Sequence, residues 1–188
     1  MSHETIWYIT RSSAMTAWFF LTLTVVWGSF ISGRFVRRKG AQRYLNDLHP
    51  YLGALGLTAL VIHLVTAVTN SYVGLNWVSA IVPFAASWRP GGITAGVAAL
   101  WLLVAVEGTS LARRRMKRQT WHRIHLGAYA MAWITALHAV MVGTDLQNPV
   151  VAWGALALVA ASTGVAAARS FQADRHGSTA TASHLAHT

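Results

Sequence analysis

The chain has 188 residues and no cysteine. That single absence excludes disulfides, thiolate metal sites, iron–sulfur clusters and thioether-attached haem together. Charge is scarce as well: 11% of residues are Asp, Glu, Lys or Arg, and only 5 residues are acidic. With 54% hydrophobic residues and a mean hydropathy of +0.42, the composition is not that of an ordinary soluble domain. The first apolar stretch also lacks the basic flank and cleavage pattern of a signal peptide.

What is there points to a membrane. Five segments are long enough to cross about 30 Å of hydrocarbon at about 1.5 Å per residue. The first holds the 22 uncharged residues between Arg11 and Arg34. The second runs from about Tyr51 to Thr69, the third from Gly92 to Leu111 with the single acid Glu107, and the fourth lies between Arg123 and Asp145. The fifth follows Pro149, a residue suited to a first helical turn. The expected fold is therefore all-α, a membrane-embedded bundle of five transmembrane helices in the cell membrane.

Of the 15 basic residues, 13 fall between spans one and two, between spans three and four, or after span five. Arg11 and Arg89 alone lie on the other side. The positive-inside rule then puts the amino terminus outside and the carboxyl terminus inside. Basic runs flanking apolar segments also argue against nucleic acid as the partner of a chain with a formal charge of +10; the partner they fit is lipid. Residues 70–91 form the one long outer connection, with Tyr72, Trp77 and Trp88 suited to the interface and Pro83 interrupting any helix. They are expected to cap the outer mouth of the bundle. Residues 1–169 read as one membrane domain, and 170–188, with His176, His184 and His187, as a disordered cytoplasmic tail.

The chemistry sits in the histidines. The stretch HPYLGALGLTALVIH has His49 and His63 at its ends, 14 residues apart. On a helix the second falls about 40° short of four turns and about 21 Å along the axis. Both rings point to nearly one face, with Gly53, Gly56 and Leu60 between them, and the glycines leave room for something flat and bulky. In span four, His125 and His138 are 13 apart, with Ala128, Ala132 and Ala136 between them. Spans two and four run in the same direction, so His49 matches His125 in depth and His63 matches His138. Two facing histidines at each of two levels are what two stacked b-type haems require. A straight helix opposes this, because 13 residues fall about 140° short of four turns, and 16 residues from His122 overshoot by about 160°. Local tightening, a π-bulge or a helix tilt must make up the difference.

Two other readings compete. A lone membrane histidine is more often a hydrogen bonder between helices, which four at matched depths make hard to sustain. Metal-ion transport usually brings carboxylates, and the spans hold only Glu107. Glu107 itself is expected to pair with a neighbouring basic residue, with proton handling as the alternative.

These motifs resemble the ferric reductase-like transmembrane domain, the haem-bearing core of ferric reductases and NADPH oxidases. The likeness covers about residues 6–168 and rests on WYITRSSA in the first span, on H-x13-H in LHPYLGALGLTALVIHLVTA and on H-x12-H in WHRIHLGAYAMAWITALHAV. It implies that His49 with His125 and His63 with His138 ligate an inner and an outer haem, and so favours His125 over His122. It implies electron flow from the cytoplasmic side outward. It also sets Arg11 beside the outer haem, as a site residue that pairs with propionates or a reduced oxygen species. Arg89 is a second candidate for that task, and Arg34 and Arg43 for the inner propionates. Met131 or Trp133 would lie between the haems, with core packing as the competing role. No Gly-rich dinucleotide fingerprint follows a strand, so no flavin or nicotinamide domain is expected in this chain. Electrons would come from a separate flavoprotein or from quinol. The resemblance extends to the haem-binding membrane subunit of methionine sulfoxide reductase systems, which implies the alternative of a non-catalytic relay for an extracytoplasmic reductase.

Overall fold

The computed structural model describes residues 3–32, 39–70 and 74–143, with further residues scattered between 148 and 167. All secondary structure among the described residues is helical. In chain order it comprises α1 (His3–Ser32), α2 (Lys39–Thr69), α3 (Trp77–Ile81), α4 (Pro90–Leu111), a 3-10 turn (Arg113–Arg115), α5 (Arg118–His125) and α6 (Gly127–Val142). Four stretches are long and apolar enough to span a membrane: His3–Ser32, Gln42–Thr69, Pro90–Leu111 and Arg118–Val142, the last joining α5 to α6. The fifth expected span lies partly outside the described residues, which show an apolar helix over Ala152–Ala161. The expected tail, Arg34, Tyr72, His176, His184 and His187 lie outside them altogether.

Long uncharged runs become helices here because hydrocarbon offers no water to backbone groups, so each must bond within its own segment. The hydroxyls of α1 follow the same logic. Thr10 and Ser13 donate to the carbonyls of Ile6 and Ile9, and Ser29 donates to Val25 at 2.8 Å, so all three can be buried without water. The outward faces carry Val61, Trp101, Val104, Leu137 and Val140, exposed and apolar, as lipid contact demands.

Two hairpin-like pairs make the bundle: α1 packs along α2, and α4 along α6. Gly56 lets α1 and α2 approach closely, since a Cβ there would stand 2.8 Å from the Leu21 side chain. Trp27 adds a cross-tie, its indole N–H donating to the Leu45 carbonyl at 3.0 Å. Between the pairs lies a small core of Leu21, Val25, Ala99, Leu103 and Met131. Tyr129 ties the pairs together through a 2.5 Å contact to Ser29 Oγ. The Ser29 proton is already given to Val25, so the phenol is the donor.

The described part of the connection between α2 and α4 packs against α4. Asn76 and Ser79 cap α3 reciprocally, and α3 ends at Ile81, ahead of Pro83. Trp101 donates to the Ile81 carbonyl at 2.9 Å, and Ala86 is buried with Ile93 and Val97. Arg89 then precedes Pro90 in a left-handed conformation, φ 42° and ψ 57°.

Candidate functional site

Two of the histidines meet ring to ring, and two more come within electrostatic reach of each other. His49 of α2 and His125 of α5 face each other with ring centres 6.2 Å apart, and the rings inclined at 64°. His63 of α2 and His138 of α6 lie within electrostatic reach of each other at the other level. Met131 is buried between the two levels with Leu21, Val25 and Leu103, so it packs the core, whereas Trp133 is exposed.

The 13-residue spacing is accommodated in part by a local tightening of the helix. At Leu126 the α-helical ladder gives way: α5 ends at His125, α6 starts at Gly127, and Tyr129 N–H bonds back to Leu126 at 3.2 Å. That i→i+3 bond marks one tightened turn, which recovers about 60° of the shortfall. With the span split into two helices, each ring reaches a partner at its own level without both sharing one straight stripe. His122 is exposed.

The imidazoles are held in a consistent state. His63 Nδ1 lies 3.0 Å from the Thr10 carbonyl, and His138 Nδ1 lies 2.7 Å from the Gly92 carbonyl. A carbonyl only accepts, so each Nδ1 carries its proton and Nε2 is left as the lone-pair nitrogen. Ser110 gives its proton to Val106 at 2.7 Å, so at 3.4 Å it can only accept from His125 Nδ1, with the same result. A hydrogen bond from Nδ1 that fixes the tautomer and orients the ring is the usual setting of a metal-ligating histidine. His49 differs: its Nδ1 is buried near the Thr24 backbone but makes no well-formed hydrogen bond.

Glycines make the seats for two of these rings. A Cβ on Gly28 would stand 2.9 Å from His49 Cε1, and one on Gly96 would stand 2.7 Å from His138 Nδ1. Each hairpin thus sets a glycine of one helix against a histidine of the other. Gly28 and Gly96 escaped the reading of the sequence, where an isolated helical glycine signals close packing but does not name what packs there. Gly53 and Gly56, read as space for a flat ligand, are both buried facing α1, with Thr24 beside the first and Leu21 beside the second.

The arginines divide. Arg11 is half-buried on α1, next to the Thr10 carbonyl that holds His63, and its guanidinium lies 5.4 Å from the Trp7 ring centre. Arg89 instead bonds the Met141 and Val142 carbonyls at 2.7 and 3.1 Å, closing the last turn of α6. Arg43 is exposed. Glu107 makes no ion pair with a basic side chain among the described residues, contrary to expectation. It sits in an apolar groove of about 350 Å³ lined by Leu57, Leu60, Leu64, Leu100 and Leu103.

Among the described residues no three of His, Cys, Asp or Glu come together as a metal site. A bare ion would need three or four protein donors, whereas haem brings four nitrogens and asks for two. A metal–nitrogen bond of about 2 Å on each side, plus about 1.1 Å to each ring centre, calls for about 6 Å between ring centres. The His49–His125 separation fits that span, and the donor set fits haem. Compared with known proteins, the chain matches no family model, no curated protein and no solved structure.

Proposed function

We propose that the protein is a di-haem b-type cytochrome of the cell membrane, ferric reductase-like, that carries electrons across the bilayer to an acceptor at its outer face. The observation that carries the reading is the pairing of four histidines at two levels, three of them with Nδ1 committed as donor. His49 and His125 would hold the inner haem, and His63 and His138 the outer one. Bound haem supplies reversible one-electron transfer. The chain's own part is to fix the imidazoles, through Thr10, Gly92 and Ser110, and to keep water from the space between levels with Leu21, Val25, Leu103 and Met131. Arg11 would place positive charge near the outer level. Five spans, an outer amino terminus and a donor on the cytoplasmic side, either a flavoprotein or quinol, complete the proposal.

Purified protein should carry two haems per chain and show the sharp reduced bands of low-spin, bis-histidine iron. His63→Ala and His138→Ala should each remove the outer haem and spare the inner, and His125→Ala should do the reverse. One haem per chain, or none, in protein expressed with ample haem would refute the count.

A further inference from the structure

The inner pair has a neighbour that the ligand geometry does not need. Trp121 lies on α5 one turn before His125, and its ring stacks on that imidazole at 4.9 Å and 24°. On the indole in turn lies Arg113, its guanidinium 5.3 Å from the Trp121 ring centre. The result is a three-layer stack of imidazole, indole and guanidinium. It extends from the histidine toward the end of the bundle that carries Arg114, Arg115, Lys117 and Arg118.

One atom in this stack is out of order. Trp121 Nε1 is buried and has no hydrogen-bond acceptor among the described residues. Indole N–H can only donate, and burying it without a partner is costly. Trp27 and Trp101, by contrast, both donate to backbone carbonyls. An orphaned donor beside a ligand histidine, backed by a guanidinium, wants an anion with oxygen acceptors. Haem has two such groups, its propionates, and in a membrane these must lie toward the charged, watered end rather than the hydrocarbon. The stack lies on that side of His125.

Resting on the di-haem reading, we infer that Trp121 and Arg113 form the propionate seat of the inner haem: Trp121 Nε1 donates to a propionate oxygen and Arg113 supplies the countercharge. Arg34 and Arg43 are then not required for this task. The stacking gives Trp121 a second effect as a positioning residue, since it limits rotation of the His125 ring about its bond to α5.

The two contributions separate by substitution. Trp121→Phe keeps an aromatic face on His125 and removes the N–H, and Arg113→Gln keeps a donor and removes the charge. In full-length holo-protein, each haem's midpoint potential is titrated spectroelectrochemically between about pH 6 and 8. Both variants should retain two low-spin haems. Each should lower the midpoint of the haem that His125→Ala abolishes, because a less neutralised carboxylate opposes electron uptake. Each should also steepen that midpoint's dependence on pH, as the propionate takes up protons more readily. The outer haem should titrate as in the parent, and Arg113→Lys should recover most of the Arg113→Gln shift. Replacing haem by its dimethyl ester should erase the difference between parent and Trp121→Phe. If both haems are present and neither variant moves the inner midpoint, or if both midpoints move together, the propionate seat is wrong while the di-haem reading stands. If the parent binds no haem, both fall.

Discussion

A single ring nitrogen decides what each histidine can do. At His63 and His138 a backbone carbonyl accepts a hydrogen bond from Nδ1–H, which leaves the lone pair on Nε2. The glycines opposite two of the rings make this state sensitive to one carbon atom. Gly96→Ala should displace His138 from the Gly92 carbonyl and cost the outer haem occupancy, while Gly28→Ala should do the same to the inner haem through His49. Haem-to-protein ratios, measured beside an unchanged far-ultraviolet circular dichroism spectrum, test this; retention of both haems at parental ratio in both variants would show the seats to be slack. Arg11 makes a further prediction at this scale. Arg11→Ala should keep both haems and lower the outer midpoint only, with Arg11→Lys recovering part of it, since charge rather than the planar fork acts at a distance. Unchanged potentials would reduce Arg11 to an interfacial anchor on Trp7.

Elements turn these local states into a site. The break at Leu126 lets one span serve two levels, and Gly127 follows it as the first residue of α6. The other end of α6 is held by Arg89, whose guanidinium takes two of its last carbonyls. Arg89 does this from a left-handed backbone, which costs a non-glycine residue roughly 1–2 kcal/mol. Arg89→Ala loses the clamp and keeps the strain, so it should destabilise the protein by about 1 kcal/mol. Arg89→Gly loses the clamp but relieves the strain, and should unfold no earlier than Arg89→Ala. Thermal unfolding in detergent gives the order, and a lower midpoint for the glycine variant would contradict the account. His138 sits one turn from this clamp, so Arg89→Ala should also loosen the outer haem before the inner.

For the whole molecule, the consequential feature is the division into two packed pairs, α1 with α2 and α4 with α6, joined mainly by a thin apolar core and one tyrosine. The paired histidines bridge this division, so haem at both levels should stitch the pairs together, and its removal should lower the thermal midpoint well beyond any single side-chain change. Equal melting of apo- and holo-protein would contradict that. Orientation is tested as cleanly, because the chain has no native cysteine. Single cysteines at Ser2 and Ser183 should be labelled by an impermeant maleimide from outside and from inside, respectively. Labelling of both from one side would mean an even number of spans.

Much of this was legible in the residues alone. Uncharged runs of about 20 residues can do little but form helices in lipid, because every backbone group must be satisfied within the run, so four spans could be read without coordinates. The 14-residue spacing of His49 and His63 named their shared face, since helical geometry is fixed over that distance. Spacing failed for His125 and His138, where a change of helix at one residue rotates everything beyond it and leaves no sign in composition. It also could not say that Gly53 and Gly56 face α1, or that Glu107 has no basic neighbour among the described residues. Gly28, Gly96, Ser110, Trp121 and Arg113 were beyond reach for the same reason. A residue's periodicity says which way it faces on its own helix, but its neighbour belongs to another segment, and only the packing of the helices decides which one arrives there.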